Sequence, residues 1–297
     1  MIDGPVIQTR SLTKSYGRLD AVRDLDLSVG ANRITAFLGR NGAGKSTTIK
    51  LLLGMIHATS GDASVLGARI GESKESREML RRVAYVAENK PLYPYMTVAQ
   101  MIRFVSSFYP DWRPDAAERL MKEYELPADR KVKSLSKGMR TKLALLLAFA
   151  RRPDLLILDE PSEGLDPVGI EHLLQHLVAQ SADGISVFFS SHQIAEVERI
   201  ADHVCILDKG RLLVDASLDD LRESYRRIDL VFPSIPLEHE FRMAGVERIE
   251  TSGRQIRIFS SRNSRTVVQR AYELNAVSVE VTPVALRDIF LETVREN

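Results

Sequence analysis

The chain has 297 residues, of which 44% are hydrophobic, so it is long enough to build a sizeable core and more than one domain. Its 41 Lys and Arg residues balance 40 Asp and Glu residues, and this net charge of +1 excludes the basic excess that marks nucleic-acid or anionic-membrane binding. The first residues lack the pattern of a secretory signal and the apolar run 143–150 is far short of the ~20 residues of a spanning helix, so we expect no membrane crossing by this chain.

The first part of the chain combines short strands with a glycine-rich turn. Residues 6–8, 25–29 and 34–38 have the composition of strands. The last of these strands ends abruptly at Gly39, and a helical pattern follows at 46–55. A buried strand, a glycine-rich turn and a helix in this order are the context that separates a phosphate-binding loop from a chance match.

The segment 91–152 has a different character. Five prolines punctuate it, and between them the apolar spacing predicts helices at 98–108, 116–124 and 137–150. We interpret this segment as a helical insert.

Short apolar runs return after the insert. Residues 154–159 and 185–190 are typical of parallel strands that are buried on both faces, and 171–179 is a plausible helix between them. Cys205 lies in a further apolar run, 204–207, where we expect a buried strand residue rather than a reactive thiol. The pattern therefore predicts an α/β core.

Beyond Ser224 the pattern changes again. The predicted elements are a strand at 228–232, a helix at 237–244, strands at 246–250 and 255–259, a helix at 265–274, a strand at 277–281 and a last helix from Leu286. A βαββαβ order of this kind predicts a small separate α+β domain. We therefore expect two domains, 1–223 and 224–297.

The glycine-rich turn fits the phosphate-loop pattern G-x-x-x-x-G-K-[ST] in full. The candidate nucleotide-binding residues are Gly39, Arg40, Asn41, Gly42, Ala43, Gly44, Lys45 and Ser46, with Thr47 next in the chain. Glycines let successive backbone N–H groups and the N-terminus of the following helix face phosphate oxygens. Lys45 would neutralise charge on the β- and γ-phosphates, Ser46 would offer its hydroxyl to Mg²⁺, and Thr47 would reach the α-phosphate. A glycine turn that only caps a helix explains the glycines but not the Lys and Ser, so the sequence predicts binding of Mg-ATP.

Two acidic residues mark the end of the apolar run 154–159. Asp159 lies at the carboxyl end of the predicted strand, where α/β folds bind ligands, and it can hold Mg²⁺ through the water shell of the metal. Glu160 beside it suits a general base that polarises the water attacking the γ-phosphate. Such a pair also suits a solvated turn, but together with the phosphate loop it favours a catalytic site for ATP hydrolysis.

A second motif begins the last predicted helix of the insert, with Leu135, Ser136, Lys137, Gly138 and Met139 in order. With it, the chain resembles the ATP-binding subunit of an ABC transporter over roughly residues 6–221. The family pattern is Leu-Ser-Gly-Gly-Gln, so Ser136 and Gly138 match whereas Lys137 and Met139 depart. A Ser side chain and a Gly N–H at a helix N-terminus are placed to hold a γ-phosphate, although the same residues also suit a plain N-cap.

The resemblance implies that the active unit is a dimer. In the family this motif meets the ATP that is held by the phosphate loop of the other subunit, so two ATP molecules lie between two subunits arranged head to tail. Ser136 and Gly138 are therefore expected to complete the partner's site. Lys137 would add a cation near that phosphate.

Four further positions carry over from the family. Tyr16 stands where the family stacks an aromatic ring on adenine, although a lone Tyr also suits packing. His192, just past the strand 185–190, matches the switch histidine that contacts the γ-phosphate and orients the catalytic water. Asp166 matches the loop that links the two sites across the dimer. Glu88 stands where much of the family has a glutamine that touches Mg²⁺ and relays the nucleotide state to the membrane subunit.

The resemblance also implies the fold and the partners. The expected fold is an α/β P-loop NTPase core of the RecA-like kind with a helical insert at about 91–152, followed by the small α+β domain. ATP and Mg²⁺ are the expected cofactors, and a transmembrane permease and a second ATP-binding subunit, identical or not, are the expected partners; no nucleic acid is expected. Residues 85–97 resemble exporter-type members that handle drugs, antibiotics or lipids. The expected location is the cytoplasmic face of a membrane, and the cytoplasm when unassembled.

Two alternatives stay open at this point. A non-transport ABC ATPase of the DNA repair or translation type shares the nucleotide motifs, but such proteins typically carry long coiled coils, zinc modules or two tandem cassettes. A regulatory ABC ATPase would use 224–297 as an effector domain, whereas a dimerisation or docking module is the simpler interpretation of that segment.

Overall fold

Three sheets organise the computed structural model, which describes residues 4–71, 73–235 and 238–295. The strands are β1 (Ile7–Tyr16), β2 (Leu19–Leu25), β3 (Ser28–Val29), β4 (Ile34–Gly39), β5 (Ser60–Val65), β6 (Ala68–Arg69), β7 (Val83–Val86), β8 (Leu155–Asp159), β9 (Ser186–Ser191), β10 (His203–Asp208), β11 (Arg211–Ser217), β12 (Arg226–Val231), β13 (Val246–Ser252), β14 (Gln255–Ser260) and β15 (Ser278–Pro283). The α-helices are α1 (Lys45–Leu52), α2 (Lys74–Arg82), α3 (Val98–Ser106), α4 (Pro114–Glu123), α5 (Lys137–Phe149), α6 (Pro167–Ala182), α7 (Ile194–Ile200), α8 (Leu218–Ser224), α9 (Ser264–Glu273) and α10 (Leu286–Arg295).

The chain divides into two units, and the first ends at Asp215. The second begins at Ala216, so α8 belongs to it, whereas the sequence pattern places the boundary after residue 223.

A six-stranded sheet forms the centre of the first unit, in the order β11-β10-β4-β9-β8-β7. The neighbours from β10 to β7 are all parallel. Because β4, β9 and β8 are adjacent and parallel, their carboxyl ends meet at one edge of the sheet. The phosphate loop, the residue after Ser191 and the residue after Asp159 therefore come together there.

The main core lies against one face of this sheet. Alternate strand residues such as Leu155, Ile157 and Phe188 face it, because side chains along a strand point to opposite faces. Apolar residues of α1 and of a second, antiparallel sheet complete this core. That sheet has the order β2-β1-β5-β6, with β3 also paired to β1. The parallel strands of the central sheet confirm the α/β core that the sequence predicts.

The helical insert is also confirmed. Thr97 and Gln100 form a reciprocal capping box at the start of α3, and α4 begins with Pro114 at its first position. α5 contacts α3 and α4 and also α6 and β7, and the apolar run 143–150 on it is buried throughout. This run is a core helix, and no helix among the described residues is both long and apolar enough to span a bilayer.

The second unit contains an antiparallel sheet in the order β13-β14-β12-β15. The element order follows the predicted βαββαβ pattern except at its first helix, and α9 packs against β12 over a core that includes Ile228, Ile258 and Val267. The helix predicted at 237–244 is wrong: it begins outside the described residues, and the rest contains only the 3-10 helix Glu238–Phe241. Gly245, the residue after the predicted range, adopts a φ of 86°, and an α-helix cannot continue through this conformation.

Candidate active site

The phosphate loop connects β4 to α1, so the N–H groups at the start of this helix point toward the loop. Gly44 is the N-cap residue and has a φ of 108°. A Cβ atom at this position would lie 2.3 Å from the backbone oxygen of Ala21 on β2, so only glycine fits. The first turn of α1 contains no acidic residue, which leaves the helix N-terminus free to attract an anion.

Lys45 is nearly buried, with 6% of the residue exposed. Its ammonium donates a hydrogen bond to the backbone oxygen of Gly39 at 2.7 Å. It also forms an ion pair with Glu160, at 3.2 Å between Nζ and Oε1. Among the described residues, no donor is aligned for a hydrogen bond to this Oε1. Lys45 and Glu160 therefore neutralise each other's charge in this conformation.

A serine joins the two acidic residues at the end of β8. The Ser190 hydroxyl on β9 donates to Oδ1 of Asp159 at 2.6 Å and accepts a hydrogen bond from the Glu160 N–H at 3.0 Å. All three residues are buried. The neighbouring strand thus fixes both the Asp159 carboxylate and the main chain of Glu160.

His192 follows β9 directly and contacts the same carboxylate. Its Nδ1 lies 2.8 Å from Oε2 of Glu160, and its side chain is 45% exposed. The two oxygens of Glu160 therefore have different partners, Lys45 on one side and His192 on the other. A carboxylate held in this way next to a phosphate loop can accept a proton from a water molecule.

A cleft of about 520 Å³ opens beside the phosphate loop. The sequence-predicted residues that line it are Arg40, Asn41, Gly42, Gly44, Lys45, Ser46, Thr47, Glu88 and Glu160. Gly39 and Ala43 belong to the loop but do not line the cleft. Asp159 and His192 do not line it either: Asp159 is linked to Glu160 through Ser190, and His192 contacts Glu160 directly.

Several lining residues were missed by sequence reasoning. They are Leu19, Asp20, Ala21, Arg23, Lys209 and Gly210. Lys209 and Gly210 both have positive φ in the tight turn between β10 and β11, and the Gly210 N–H donates to the backbone oxygen of Ala43 at 2.8 Å. A hairpin-turn signal at this Lys-Gly pair could have located the turn, but not its contact with the phosphate loop.

The second motif does not line this cleft. Ser136 caps α5 by accepting a hydrogen bond from the Met139 N–H at 3.1 Å. A Cβ atom at Gly138 would lie 2.6 Å from the backbone oxygen of Gly164, so this position also requires glycine. Asp166 caps α6 through the Gly169 N–H at 3.0 Å and is likewise outside the cleft lining.

Tyr16 ends β1 and is half-exposed, outside the cleft lining. The Lys14 ammonium lies 5.0 Å from the centre of its ring, so the ring face already has a cationic neighbour.

Three oxygen-bearing side chains could hold a magnesium ion: the Ser46 hydroxyl and the carboxylates of Asp159 and Glu88. Mg²⁺ prefers such oxygen ligands, so the donor set fits the ion. Asp159 is 2% exposed, and no ion pair to it is recorded in the described part of the chain. Burial is the largest cause that raises the pKa of Tyr85 to about 12, and the charges of Asp159 and Glu88 add to it. A cation would compensate those two charges.

Known proteins share this sequence and this fold. The sequence pattern of the ABC transporter family matches residues 22–163. The chain is 36% identical over 226 residues to the bacitracin transport ATP-binding protein BcrA of Bacillus licheniformis. This alignment covers 75% of this chain and 73% of the relative. It is 31% identical to the uncharacterized ABC transporter ATP-binding protein YcbN of Bacillus subtilis, over 98% of both chains.

A solved structure agrees with these relatives. The ATP binding subunit of an ABC transporter superposes with a TM-score of 0.66 at 32% identity, over 73% of this chain and 92% of that one. The phosphate loop, the second motif and the acidic pair all fall within the matched residues 22–163. The chain belongs to the ABC transporter family, among its ATP-binding subunits.

Proposed function

We propose that this protein hydrolyses Mg-ATP in the described cleft, with Glu160 as the general base, and that hydrolysis drives a separate transmembrane permease. The observation that carries this proposal is the position of the Glu160 carboxylate. It lines the cleft beside the phosphate loop and is held between Lys45 and His192. A buried carboxylate at this point can take a proton from the water that attacks the γ-phosphate.

Phosphate binding and activation of Glu160 are coupled through Lys45. The Lys45 ammonium neutralises Glu160 when no phosphate is near, at an N–O distance of 3.2 Å. A nucleotide phosphate competes for the same ammonium, and the loop N–H groups and the N-terminus of α1 add to its affinity. Transfer of Lys45 to the phosphate leaves the Glu160 carboxylate unpaired on that side, which increases its ability to accept a proton. His192 keeps the carboxylate oriented.

Magnesium would be held by Ser46 and Asp159, with Glu88 close to its water shell. When bound, the ion neutralises phosphate charge and orients the leaving group. The protein's part is to hold these oxygens in place, which Ser190 does for Asp159 through the 2.6 Å hydrogen bond.

The site is completed by a second ATP-binding subunit, identical or not. Ser136 and Gly138 present a hydroxyl and an N–H at the N-terminus of α5, yet they do not line their own chain's cleft. A helix N-terminus of this kind suits a phosphate, and the partner's nucleotide would supply one. In this arrangement Asp166 lies beside the junction, and Tyr16 takes the adenine ring. ATP then acts as a removable link between two subunits.

An exposed aromatic cluster in the helical insert supports docking to a permease. Tyr93, Tyr95 and Phe108 are 45%, 64% and 61% exposed, and Phe104 connects them, with its ring centre 5.4 Å from that of Tyr93 and 5.0 Å from that of Phe108. Exposed aromatic groups of this kind favour a protein interface. Glu88 lies shortly before the cluster in the chain and lines the cleft, so it can relay the nucleotide state to a docked partner. A protein docked to a permease in this way would lie at the cytoplasmic face of a membrane.

Export is the direction that we favour. Residues 85–97 resemble exporter-type members, and the similar protein BcrA is named for bacitracin transport. Affinity purification from membranes should recover a multi-span permease with this chain, whereas recovery of ribosomes or DNA would contradict the transport function.

The catalytic assignment is tested by Glu160→Gln, which keeps the shape of the side chain and removes the base. We expect ATP turnover to fall by about 100-fold or more, because general-base catalysis contributes on this order, while ATP still binds. Glu118→Gln is the matched control, since Glu118 is an exposed carboxylate on α4 that pairs with Lys122 on the same helix. Wild-type turnover in Glu160→Gln would refute the assignment.

A further inference from the structure

A second lysine is buried close to Glu160, and the sequence motifs do not include it. Lys90 is 8% exposed and follows Glu88 by two residues in the chain. Its ammonium donates a hydrogen bond of 3.3 Å to the backbone oxygen of Glu160, which lies 70 positions further along the chain. A lysine is rarely buried unless its charge has a defined partner. Lys90 does not line the cleft, so phosphate is not that partner.

The main chain at Glu160 needs such a contact. Glu160 has a φ of 46°, a strained conformation that non-glycine residues seldom adopt. Its backbone oxygen also accepts a hydrogen bond from the Glu163 N–H at 3.2 Å, which closes a turn that contains Pro161. The direction of the Glu160 side chain depends on this backbone conformation. Whatever holds the Glu160 carbonyl therefore also aims the carboxylate.

Acidic neighbours partly offset the effect of burial on the Lys90 ammonium. Burial lowers the pKa of the Lys90 ammonium, and the charge of Glu163 opposes this more than any other group, followed by the smaller effects of Glu88 and Asp159. Glu163 is itself paired with Lys137, at 2.5 Å between Nζ and Oε1, and this hydrogen bond holds the pKa of Glu163 below its usual range. The Lys137 charge acts on Lys90 in the opposite sense. Lys90 thus lies inside a charge network that also includes the first residue of α5.

We propose that Lys90 is a positioning residue for hydrolysis: its ammonium holds the main chain of Glu160, so that the carboxylate keeps the orientation needed to activate water. This inference rests on the proposed role of Glu160 as general base. It predicts an effect on the chemical step rather than on nucleotide binding, because Lys90 contacts the backbone of Glu160 and does not line the cleft. It also predicts that the effect of Lys90 disappears when Glu160 no longer acts as a base.

The test compares Lys90→Met, which keeps the length and apolar stem, with Lys90→Arg, which keeps a cationic donor. Steady-state ATP hydrolysis by the full chain gives kcat and KM for each. We expect Lys90→Met to lower kcat by about tenfold, the order expected when one charge-assisted hydrogen bond is lost, with KM within about twofold of wild type. Lys90→Arg should recover most of kcat. Lys133→Met, at an exposed position, is the control and should behave as wild type.

A double variant separates this inference from the proposed function. In the Glu160→Gln background, Lys90→Met should cause no further loss of residual turnover, because two residues that act through one group are not additive. A further tenfold loss there, or a wild-type kcat for Lys90→Met alone, would overturn the role of Lys90 and leave Glu160 as the base. If Glu160→Gln itself hydrolyses ATP normally, the proposed function fails instead. Lys90→Gln replaces Lys90→Met if the latter does not fold, with the same expectations.

Discussion

At the scale of single residues, the buried ion pair between Lys45 and Glu160 links the stability of the protein to the catalysis that we propose. The two side chains are 6% and 9% exposed, so each charge depends on the other when no phosphate is present. A buried charge that loses its partner is strongly destabilising, whereas removal of both charges together costs little. The pair therefore makes a double-mutant test possible.

We expect Lys45→Met to lose ATP binding and also to destabilise the protein by about 3 kcal/mol, because the buried Glu160 carboxylate then loses the ammonium that is paired with its Oε1. Lys45→Met combined with Glu160→Gln should regain most of that stability but not the binding. Thermal unfolding of the nucleotide-free proteins measures the first effect, and nucleotide titration measures the second. Equal destabilisation in the single and double variants would show that the ion pair between Lys45 and Glu160 contributes nothing to the stability of the protein.

Glu196 gives a second prediction at this scale. It is 6% exposed, and its Oε1 has no hydrogen-bond partner among the residues that the structure describes. Burial raises its pKa, the hydrogen bond with Ser162 opposes this rise, and the charge of Glu160 adds to it. When folding raises the pKa of a carboxyl group, the protein loses stability as the pH rises through that pKa. The amide in Glu196→Gln does not titrate, so the variant should become more stable than the wild type as the pH rises.

We therefore expect Glu196→Gln to raise Tm at pH 7 to 8 by about 2–4 °C, the shift that 1 kcal/mol causes in a unit of this size. The gain should shrink toward pH 4, where the wild-type carboxyl group is protonated. Thermal unfolding across this range measures it. A gain that is the same at every pH would mean that packing, and not ionisation, is responsible.

At the scale of elements, the N-cap residue of α5, Ser136, has one task in the structure and a second task that we propose. Ser136 accepts a hydrogen bond from the Met139 N–H and so caps the helix in the isolated chain. The proposed second task is contact with a phosphate held by the partner. Asp is an equally good N-cap, and its charge suits a helix N-terminus, but it repels phosphate.

Ser136→Asp should therefore keep the thermal stability of the protein while abolishing ATP-dependent dimer formation. Ser136→Ala should lose about 1 kcal/mol of stability through the missing cap. Unfolding curves and size-exclusion chromatography, both on the Glu160→Gln protein so that ATP persists, measure the two effects. A Ser136→Asp protein that still dimerises with ATP would remove Ser136 from the phosphate site.

The sequence predicted the elements with strong local signals and missed those without them. The strand before the phosphate loop, the helices of the insert and the strands β8 and β9 follow from apolar spacing, and the structure confirms them. β2 was missed because only Val22 and Leu25 are buried along it, so its pattern lacks a clear alternation. The 237–244 helix was predicted where the chain forms only a short 3-10 turn.

The candidate site shows the same limit. Motifs mark the phosphate loop, Asp159 and Glu160, because each has a fixed local spacing. They do not mark Lys90, since its partner at Glu160 is 70 positions away and becomes visible only when the strands are assembled. The pair of Lys137 with Glu163, 26 positions apart, is invisible in the sequence for the same reason.

At the scale of the whole molecule, the hydrophobic core against the central sheet and the core of the second unit share no residue. One lies in the first unit between the antiparallel sheet, α1 and the central sheet, and the other lies in the second unit around β12, β14 and α9. Since YcbN aligns over 98% of this chain, the second unit occurs together with the ATPase in a relative as well. Separate cores can unfold separately, and only the first unit contains the nucleotide cleft.

Calorimetry should therefore resolve two transitions, and ATP should raise only one of them. With turnover blocked by Glu160→Gln, ATP at 100 times its dissociation constant adds about 2.7 kcal/mol to the unit that binds it. Ile258→Ala acts on the other transition, since Ile258 is fully buried in the second core. The cavity should cost about 3 kcal/mol and lower that Tm by roughly 10 °C or more. A single transition that responds to both ATP and Ile258→Ala would instead mean that the two units fold as one cooperative body.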